Sequence, residues 1–397
     1  MPLVNASPPP VAAGLIRIDS ITDLRGLYAL RAQWSELLAQ SSSDCIFLTW
    51  EWLSTWAKHF GQGRSLDVIT VRHDGELIGL APLAIGPLPG RLVPRRARHF
   101  LGAGAVGSDY LDVIARAGRE ADVVDALAPR LADEGSMVEL AGVDRRSATA
   151  GLLARRLARR GWRVVEHASD PCPFIDLRGH TWASYLASLA PQHRYNVRRR
   201  LDRLTTEHGM RFERVESEER RREALAALIA LHGERWRTRG GSTALDGEPL
   251  VAFHQDFTRL ALQRGWLRLF VMHVDGGPGA ALYGFRYRDR FCFYQTGFDP
   301  ARSRLGVGQV TVGLSIKHAI DEGACEYDML HGDERYKFDW AGQVRLLGRL
   351  EMYPPSARGW LDRRAVGLER AARRSARRLL PPSAADWMAR RTHHAVR

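Results

Sequence analysis

The sequence predicts an α/β protein with two tandem halves, each a mixed sheet flanked by helices. Three observations support this fold class. The chain has 397 residues, which is more than one hydrophobic core usually serves. Strand-like runs of alternating apolar and polar residues are separated by segments with helical periodicity. The order of these elements in the first half recurs in the second.

Composition narrows the possible functions. The net charge is +13, and nearly all of the positively charged residues are arginines. This preference for arginine is as typical of a GC-rich genome as of a protein with an anionic partner. Nucleic acid is therefore not expected as the main partner. The four cysteines lack the CxxC spacing of a zinc site, and we expect no bound metal. The most apolar window, 77–89, is short and contains three prolines, so we expect no transmembrane segment and a cytoplasmic protein.

The first half begins with a strand after a Pro-rich tail over 1–14 that is expected to be disordered. Asp23 is a plausible cap for the helix that follows, and Asp74-Gly75 suits a tight hairpin turn. The predicted elements in order are a strand at 15–19, helices from about 24 and from 49, a hairpin over 66–84, a strand at 110–114, a helix over 119–135 and a strand at 137–140.

The second half follows a similar order. Its hairpin also turns at Asp-Gly, at 275–276, and its long apolar helix ends in Asp-Glu-Gly, as does the helix that ends at 135. Three-letter coincidences are common, but their matching order indicates a divergent tandem repeat. The predicted elements are strand 174–177, helices 182–189, 197–204 and 225–236, hairpin 266–287, strand 291–298, helix 309–320 and strand 325–330.

These patterns divide the chain into a first domain over 15–170 and a second over 171–355. The remaining tail, 356–397, is an Arg- and Ala-rich helix interrupted at Pro381-Pro382. A solvated appendage is the preferred interpretation of the tail. A peripheral contact with an anionic membrane at its inner face is the alternative.

Residues 291–340 form the most informative stretch, a predicted strand, glycine turn, helix and strand. Gly306 and Gly308 stand directly before the helix. A helix N-terminus has free N–H groups and the positive end of a dipole, which suits an anion such as phosphate. A glycine pair that only turns the chain is the alternative.

Several passages together resemble the GNAT acyltransferase superfamily. They are FLTWEWLSTWAKHFG, SDYLDVIA, RYNVRRRLDRL, FYQTGFDP with the glycine turn, and YDMLHGDERYKFDW, which span roughly residues 20 to 345. Their order is similar to that of the CelD-like branch, and to that of the Fem-type peptidyltransferases, which also have two GNAT-like halves. The first half lacks a comparable glycine turn directly before its helix, so only the second half is expected to hold the cofactor and to be catalytic.

For the acyl donor, the resemblance implies acetyl-CoA or another acyl-CoA. The family's turn is Gln/Arg-x-x-Gly-x-Gly/Ala; Gly306 and Gly308 match its end, but its first position is Ser303 here. A neighbouring arginine would have to supply the cation from a shifted position. The expected donor-binding residues are Gln295, Thr296, Gly297, Arg304, Gly306, Val307, Gly308 and Gln309.

Transfer of an acyl group to an amine requires deprotonation of the amine, stabilisation of the oxyanion and protonation of the leaving thiolate. The passage 328–337 mixes acidic, basic and phenolic side chains. The candidate bases, acting directly or through water, are Asp328, His331, Asp333 and Glu334, and Tyr336 is a candidate acid. Lys337 matches the lysine of a Tyr-Lys pair in Fem-type relatives. A solvated loop with a chance lysine is the alternative.

The acceptor is expected to contact His331 and Glu334 of this loop, and Arg194 and Asn196 of the Arg-rich helix. Arginine forks suit phosphate or carboxylate, although a basic surface helix explains the same pattern. Trp236, with His232, is a further candidate for the acceptor cleft, and a packed core pair is the preferred interpretation of these two residues.

The leading hypothesis is an N-acyltransferase acting on an amine of an amino sugar, a sugar nucleotide or a cell-envelope or polysaccharide precursor. The first alternative is a Fem-type peptidyltransferase that uses aminoacyl-tRNA. The second is a non-catalytic accessory protein of polysaccharide biosynthesis with a degenerate acyl site.

Overall fold

The computed structural model describes residues 14–88, 95–237 and 245–379. Their strands form one mixed 13-stranded sheet in the order β1-β2-β3-β4-β6-β13-β7-β12-β11-β10-β9-β8, with β5 beside β3. The strands are β1 (Ile16–Ile21), β2 (Ser65–His73), β3 (Glu76–Pro87), β4 (Arg96–Phe100), β5 (Ile114–Ala115), β6 (Val138–Asp144), β7 (Arg163–Asp176), β8 (Arg211–Arg214), β9 (Leu267–Val274), β10 (Gly277–Tyr287), β11 (Arg290–Phe298), β12 (Glu326–Asp328) and β13 (Gln343–Tyr353).

Helices flank this sheet, so the predicted α/β class is confirmed. Asp23 caps α1 as predicted, because its side chain accepts from Gly26 N. Thr49 likewise caps α3 by accepting from Trp52 N. The helices are α1 (Leu24–Ala29), α2 (Arg31–Ala39), α3 (Trp50–Phe60), α4 (Glu120–Glu134), α5 (Ala148–Arg159), α6 (Trp182–Ser188), α7 (Pro191–Glu207), α8 (Glu218–Arg237), α9 (Glu248–Gln263), α10 (Val307–Asp321), α11 (Arg335–Phe338) and α12 (Ala357–Leu379).

The tandem repeat is visible in the strand pairing. In the first half β1 to β4 are successively antiparallel and β4 is parallel to β6. In the second half β8 to β11 are successively antiparallel and β11 is parallel to β12. Helix α4 precedes β6 as α10 precedes β12. The two halves therefore share one topology, as the sequence predicted.

The halves exchange strands at the centre of the sheet. β13, the last strand of the chain, pairs with both β6 and β7, and the end of β7 pairs with β12. The predicted strand 174–177 is thus the end of a 14-residue strand, and the expected boundary between 170 and 171 lies inside that strand. The division into domains at this point stays a prediction, since the backbone pairing is continuous across it.

The predicted strand at 110–114 is wrong except for Ile114, which belongs to the two-residue strand β5. Tyr110 has a φ of 59°, a left-handed conformation that interrupts an extended strand. The turn directs Asp109 and Tyr110 toward the second half, where both form hydrogen bonds.

The two halves also share a hydrophobic core. Trp52 of α3 is fully buried, and its ring packs edge-on against Phe253 and Phe257 of α9. Trp50 and Trp56 of the same helix are buried as well. Helix α9 itself was not predicted, although Leu250, Phe253 and Phe257 have helical spacing.

The helix predicted for the tail is confirmed as α12, and its continuation with Pro381-Pro382 lies outside the described residues, as does the expected disordered tail over 1–13. Every helix within 14–88, 95–237 and 245–379 is too short or too polar to cross a bilayer.

Candidate functional site

The candidate site begins where β11 and β12 separate. Their parallel pairing covers only residues 290–292 and 326–328, although β11 continues to Phe298 along β10. Beyond β12 the chain follows β7 instead, with Met329 N donating to Pro173 O at 2.9 Å and Gly332 N to Pro171 O at 3.0 Å. A gap therefore opens between the second half of β11 and the loop over 329–334.

A β-bulge lies on the β11 side of this gap. Tyr283 pairs with Gln295 and Gly284 with Phe293, which leaves Tyr294 without an opposite residue. A bulge re-aims the strand and its side chains, and such features are common beside active sites. The hydroxyl of Tyr294 donates to Val106 O at 2.6 Å, so the bulge lies next to a loop of the first half.

The glycine turn is built as the sequence predicted. Gly306 has a φ of 75° and precedes α10, whose first residues are Val307, Gly308 and Gln309. The first N–H groups of a helix have no partner within the helix, and they face an anion favourably. A Cβ on Gly308 would lie 3.0 Å from the ring of Phe298, so the turn packs closely against the end of β11.

The cation beside this turn comes from α7. A Cβ on Gly306 would lie 2.4 Å from Cδ of Arg200, and the Arg200 guanidinium donates to the side chain of Gln309. Arg304, expected to supply the cation, is instead exposed at the surface. We infer that Arg200 is the better placed residue, because its long side chain reaches the helix N-terminus from a neighbouring helix.

A histidine–aspartate pair joins the two halves. Nδ1 of His331 lies 2.7 Å from Oδ1 of Asp109, and the backbone N–H of His331 donates to Oδ2 of Asp109 at 2.8 Å. Asp109 is buried, whereas the His331 side chain is 44% exposed. The His331 ring also lies beside Gly107, in the same first-half loop as Val106, which binds the bulge residue Tyr294.

The carboxylate of Asp109 raises the pKa of His331 to about 9. The imidazole is consequently protonated at neutral pH. Because Asp109 occupies Nδ1, Nε2 is the ring atom left to exchange a proton with a substrate.

Lys337 is buried and braces the loop that carries His331. Its ammonium donates to His331 O at 2.6 Å and lies 3.1 Å from Oε2 of Glu334. Gly332 has a φ of 135°, and a Cβ there would lie 2.7 Å from Nζ of Lys337. The Gly332 position therefore requires glycine. The buried Lys337 ammonium lies against this glycine and holds the loop through its hydrogen bond to His331 O.

Asp328 is fully buried beneath the gap. Its Oδ2 accepts from Tyr110 at 2.7 Å and from Arg345 at 3.1 Å, and its Oδ1 accepts from Leu330 N at 2.8 Å. Burial raises the pKa of Asp328 to about 6, against the lowering effect of the nearby arginines. The role of Asp328 as a base, directly or through water, stays a prediction. In the structure its two oxygens hold Tyr110, Arg345 and Leu330 N together at the floor of the site.

The other candidates of the 328–337 passage separate in the structure. Asp333 is exposed in the loop, and Tyr336 is half-buried against the core of the second half. Burial raises the pKa of Tyr336 above its usual value, which makes it a weaker acid. Glu334 is 46% exposed and accessible to a ligand.

The predicted donor residues of β11 differ in their surroundings, and their role stays a prediction. Gln295 is half-exposed, whereas the Thr296 hydroxyl donates to Ala281 O at 2.9 Å. Gly297 lies directly under α8, because a Cβ there would be 2.5 Å from His232 N. Trp236 is in α8, but its side chain lies outside the described residues.

An open cavity of about 510 Å³ adjoins the donor turn. His193 lines it and also accepts from Gln309 Nε2 at 3.1 Å, which connects the cavity to the first turn of α10. The predicted acceptor residues do not line it: Arg194 donates to Ala187 O at 2.7 Å, and Asn196 accepts from Gln192. Other lining residues are Asp176, Arg178, His180, Tyr185, Asp339 and Trp340.

Sequence reasoning missed Asp109, Arg200 and His193. Asp109 stands in the passage SDYLDVIA, and the other two stand in or beside RYNVRRRLDRL, so the local signals had been noticed without these residues being selected. Their partners are remote in sequence. Among the described residues, no cluster of histidine, cysteine, aspartate or glutamate has the arrangement of a metal site.

Comparisons with known proteins agree with this fold. Residues 191–338 match the sequence profile of a family described as "Acetyltransferase (GNAT) domain". FemX is similar in structure, with a TM-score of 0.59 and 13% identity over 84% of this chain and 96% of FemX. L-PGS from Bacillus licheniformis is similar with a TM-score of 0.52 and 13% identity over 88% and 96% of the two chains.

A conserved protein of unknown function from Bacteroides thetaiotaomicron is similar with a TM-score of 0.52 and 15% identity, over 85% of this chain and 99% of that one. At these identities the likeness concerns the fold. No curated protein sequence matches the chain. The chain has a tandem GNAT-like fold, and its second half contains an acyltransferase domain of the GNAT type.

Proposed function

We propose that the chain is an N-acyltransferase that moves an acetyl or similar acyl group from acyl-CoA to an amine. The observation that supports this most directly is the gap between β11 and β12, with the glycine-capped N-terminus of α10 and the Arg200 side chain at one end. Backbone N–H groups and a guanidinium suit the pyrophosphate of CoA. The unpaired edge of β11 suits an extended pantetheine chain.

The chemistry follows from the groups around the gap. The amine nitrogen attacks the thioester carbonyl carbon, the C–S bond breaks, and the nitrogen loses a proton while the sulfur gains one. His331 is protonated at neutral pH, so Nε2 can give its proton to the departing thiolate. The neutral ring is then able to take the proton of the amine. N–H groups at the Tyr294 bulge are the candidates for stabilising the oxyanion.

The proposed acceptor is the one expected from the sequence. It carries an amine and is an amino sugar, a sugar nucleotide or a precursor of the cell envelope or of a polysaccharide. The open cavity beside His193 supports a polar acceptor, since Asp176, Arg178, His180 and Asp339 line it. A polar lining with both signs of charge favours a hydroxyl-rich molecule with a charged group over an apolar one.

Titration calorimetry with acetyl-CoA tests the donor site. Gly308→Arg should abolish binding, because the new side chain would have to pass the ring of Phe298 and would fill the turn. Gly151→Arg is the matched control, since it is also a helical glycine and its Cβ would meet only the end of Arg155 at 3.6 Å. A folded wild-type protein that binds no acyl-CoA would overturn the proposal.

A Fem-type peptidyltransferase that uses aminoacyl-tRNA is the second candidate. The likeness to FemX over most of both chains and the exposed arginines Arg198 and Arg199 of α7 favour it. Binding to tRNA that weakens steeply with salt, without any binding of acyl-CoA, would favour this candidate over the first.

A further inference from the structure

The last helix, α12, presents its apolar side chains to solvent. Trp360, Leu361 and Leu368 are 52%, 58% and 71% exposed. They lie on one side of the helix, because residues at i, i+1 and i+8 fall within an arc of about 100° around an axis with 3.6 residues per turn. Isolated exposed apolar residues are ordinary in proteins, but a row of three along one helix is not.

The opposite face of α12 is held to the protein by polar contacts as well as by buried Val366. Asp362 pairs with Arg95 at 2.7 Å, and Arg370 pairs with Glu351 of β13. These ion pairs fix the rotation of the helix, so the apolar row faces away from the protein.

Positive charge surrounds the apolar row. The sequence of α12 has eight arginines and two acidic residues. Arg364 lies over the ring of Trp360, 5.3 Å from its centroid. A basic helix with a separate apolar face is typical of segments that lie in the interface of an anionic membrane.

A groove of about 580 Å³ lies at the start of the same helix. Trp360 and Arg363 line it from α12, and Arg163 and Tyr353 line it from β7 and β13. Two arginines beside an indole and a phenol ring suit a phosphodiester headgroup, since guanidinium groups bind phosphate oxygens and aromatic side chains favour the headgroup level.

We propose that α12 and this groove form a docking surface for anionic phospholipid. Trp360, Leu361 and Leu368 enter the boundary between headgroups and acyl chains, while Arg163 and Arg363 bind headgroup phosphates. The surface is distinct from the donor turn and from His331, and it holds the enzyme at the membrane surface.

Co-sedimentation of the full chain with vesicles tests this docking. The protein should bind vesicles of phosphatidylglycerol and phosphatidylcholine, should bind less as salt is added, and should not bind vesicles of phosphatidylcholine alone. Trp360→Ser/Leu361→Ser/Leu368→Ser should weaken binding about tenfold or more. In Arg163→Gln/Arg363→Gln, binding to the anionic vesicles should depend much less on the salt concentration.

The control is Leu15→Ser/Leu24→Ser/Tyr28→Ser, which removes three apolar side chains exposed elsewhere, at 75%, 36% and 44%. It should bind vesicles like the wild type. Unchanged thermal melting and acetyl-CoA binding would show that each variant is folded. Equal binding to both kinds of vesicle, full binding by the Trp360 variant, or binding to RNA in place of vesicles would each overturn the proposal.

Discussion

His331 and Asp109 lie 222 positions apart in the sequence and form the most consequential pair of residues in the site. The buried carboxylate of Asp109 accepts from both the ring and the backbone of His331, so it fixes the orientation of the ring as well as its charge. The first half, expected to be non-catalytic, thus contributes a group to the site. Whether it takes part in catalysis stays a prediction.

Asp109→Asn should lower the pKa of His331 from about 9 toward its ordinary value of 6.5, because the neutral amide no longer stabilises the imidazolium. A proton NMR titration of the ring measures this directly. The raised pKa also means that the pair stabilises the wild type fully below about pH 6.5 and that this contribution disappears as the pH rises through 9.

The wild type should therefore be more stable than Asp109→Asn at pH 7, and this difference in the free energy of unfolding should become smaller as the pH rises to 10. Urea unfolding at several pH values measures this difference. A ring that titrates at the same pH in both proteins would contradict the assignment of Asp109 as the cause.

Lys337→Met should lower activity by more than tenfold and destabilise the fold by about 1–3 kcal/mol, because it removes a buried donor from His331 O and releases the loop. Steady-state kinetics and urea unfolding measure the two effects. Lys317→Met is the control: it breaks an exposed pair with Asp321 and should cost about 0.5 kcal/mol or less. Equal effects of both substitutions would count against a special role for Lys337.

At the scale of elements, the donor turn depends on α7 as much as on its own glycines. The helix sets Arg200 over the N-terminus of α10 and His193 against Gln309. The sequence pattern presented α7 as a surface helix or an acceptor site. Its packing places Arg200 beside the turn, so we expect α7 to belong to the donor side and Arg200 to supply the cation that Ser303 lacks.

Arg200→Ala should weaken acetyl-CoA binding about tenfold, which corresponds to about 1.4 kcal/mol for the loss of a guanidinium–phosphate contact. Calorimetry at two salt concentrations measures the affinity and its electrostatic part. Arg203→Ala is the matched control on the same helix, since Arg203 is exposed and pairs with Glu207. If Arg200→Ala binds acetyl-CoA with unchanged affinity, Arg200 is not the cation of the donor site and Arg304 becomes the better candidate.

At the scale of the whole molecule, the sheet is continuous because β7 and β13 cross between the halves. β13 occupies the space between β6 and β7, and the end of β7 reaches β12. The hydrogen bonds of one half are therefore completed by the last strand of the other. This crossing also brings the loops of Asp109 and His331 together.

A chain that ends at residue 342, without β13, should fail to fold, because β6 and β7 would lose the strand between them. A chain that ends at 356 should fold, with lower stability from the loss of the α12 ion pairs. Far-UV circular dichroism and thermal melting distinguish the two. Cooperative melting of the chain that ends at 342 would show that the halves fold independently.

Local sequence was enough to predict most of the periodic helices and strands, the two Asp-Gly hairpins, the cap at Asp23 and the glycine turn before α10. These features depend on neighbours in the chain, on turn chemistry and on which face of an element is apolar. Asp74 and Asp275, for example, both take the positive φ that the predicted turns require. The internal repeat predicted two tandem halves, and family resemblance added the GNAT type and the expected acyltransferase activity.

The tertiary structure alone decided the strand exchange and the composition of the site. β13 was missed because its C-terminal half, between β6 and β7, is buried on both faces and shows no alternation. Asp109 and Arg200 acquire their roles only from partners more than 100 positions away, His331 and Gln309. No local pattern encodes such distances, because they follow from the way the sheet joins the two halves.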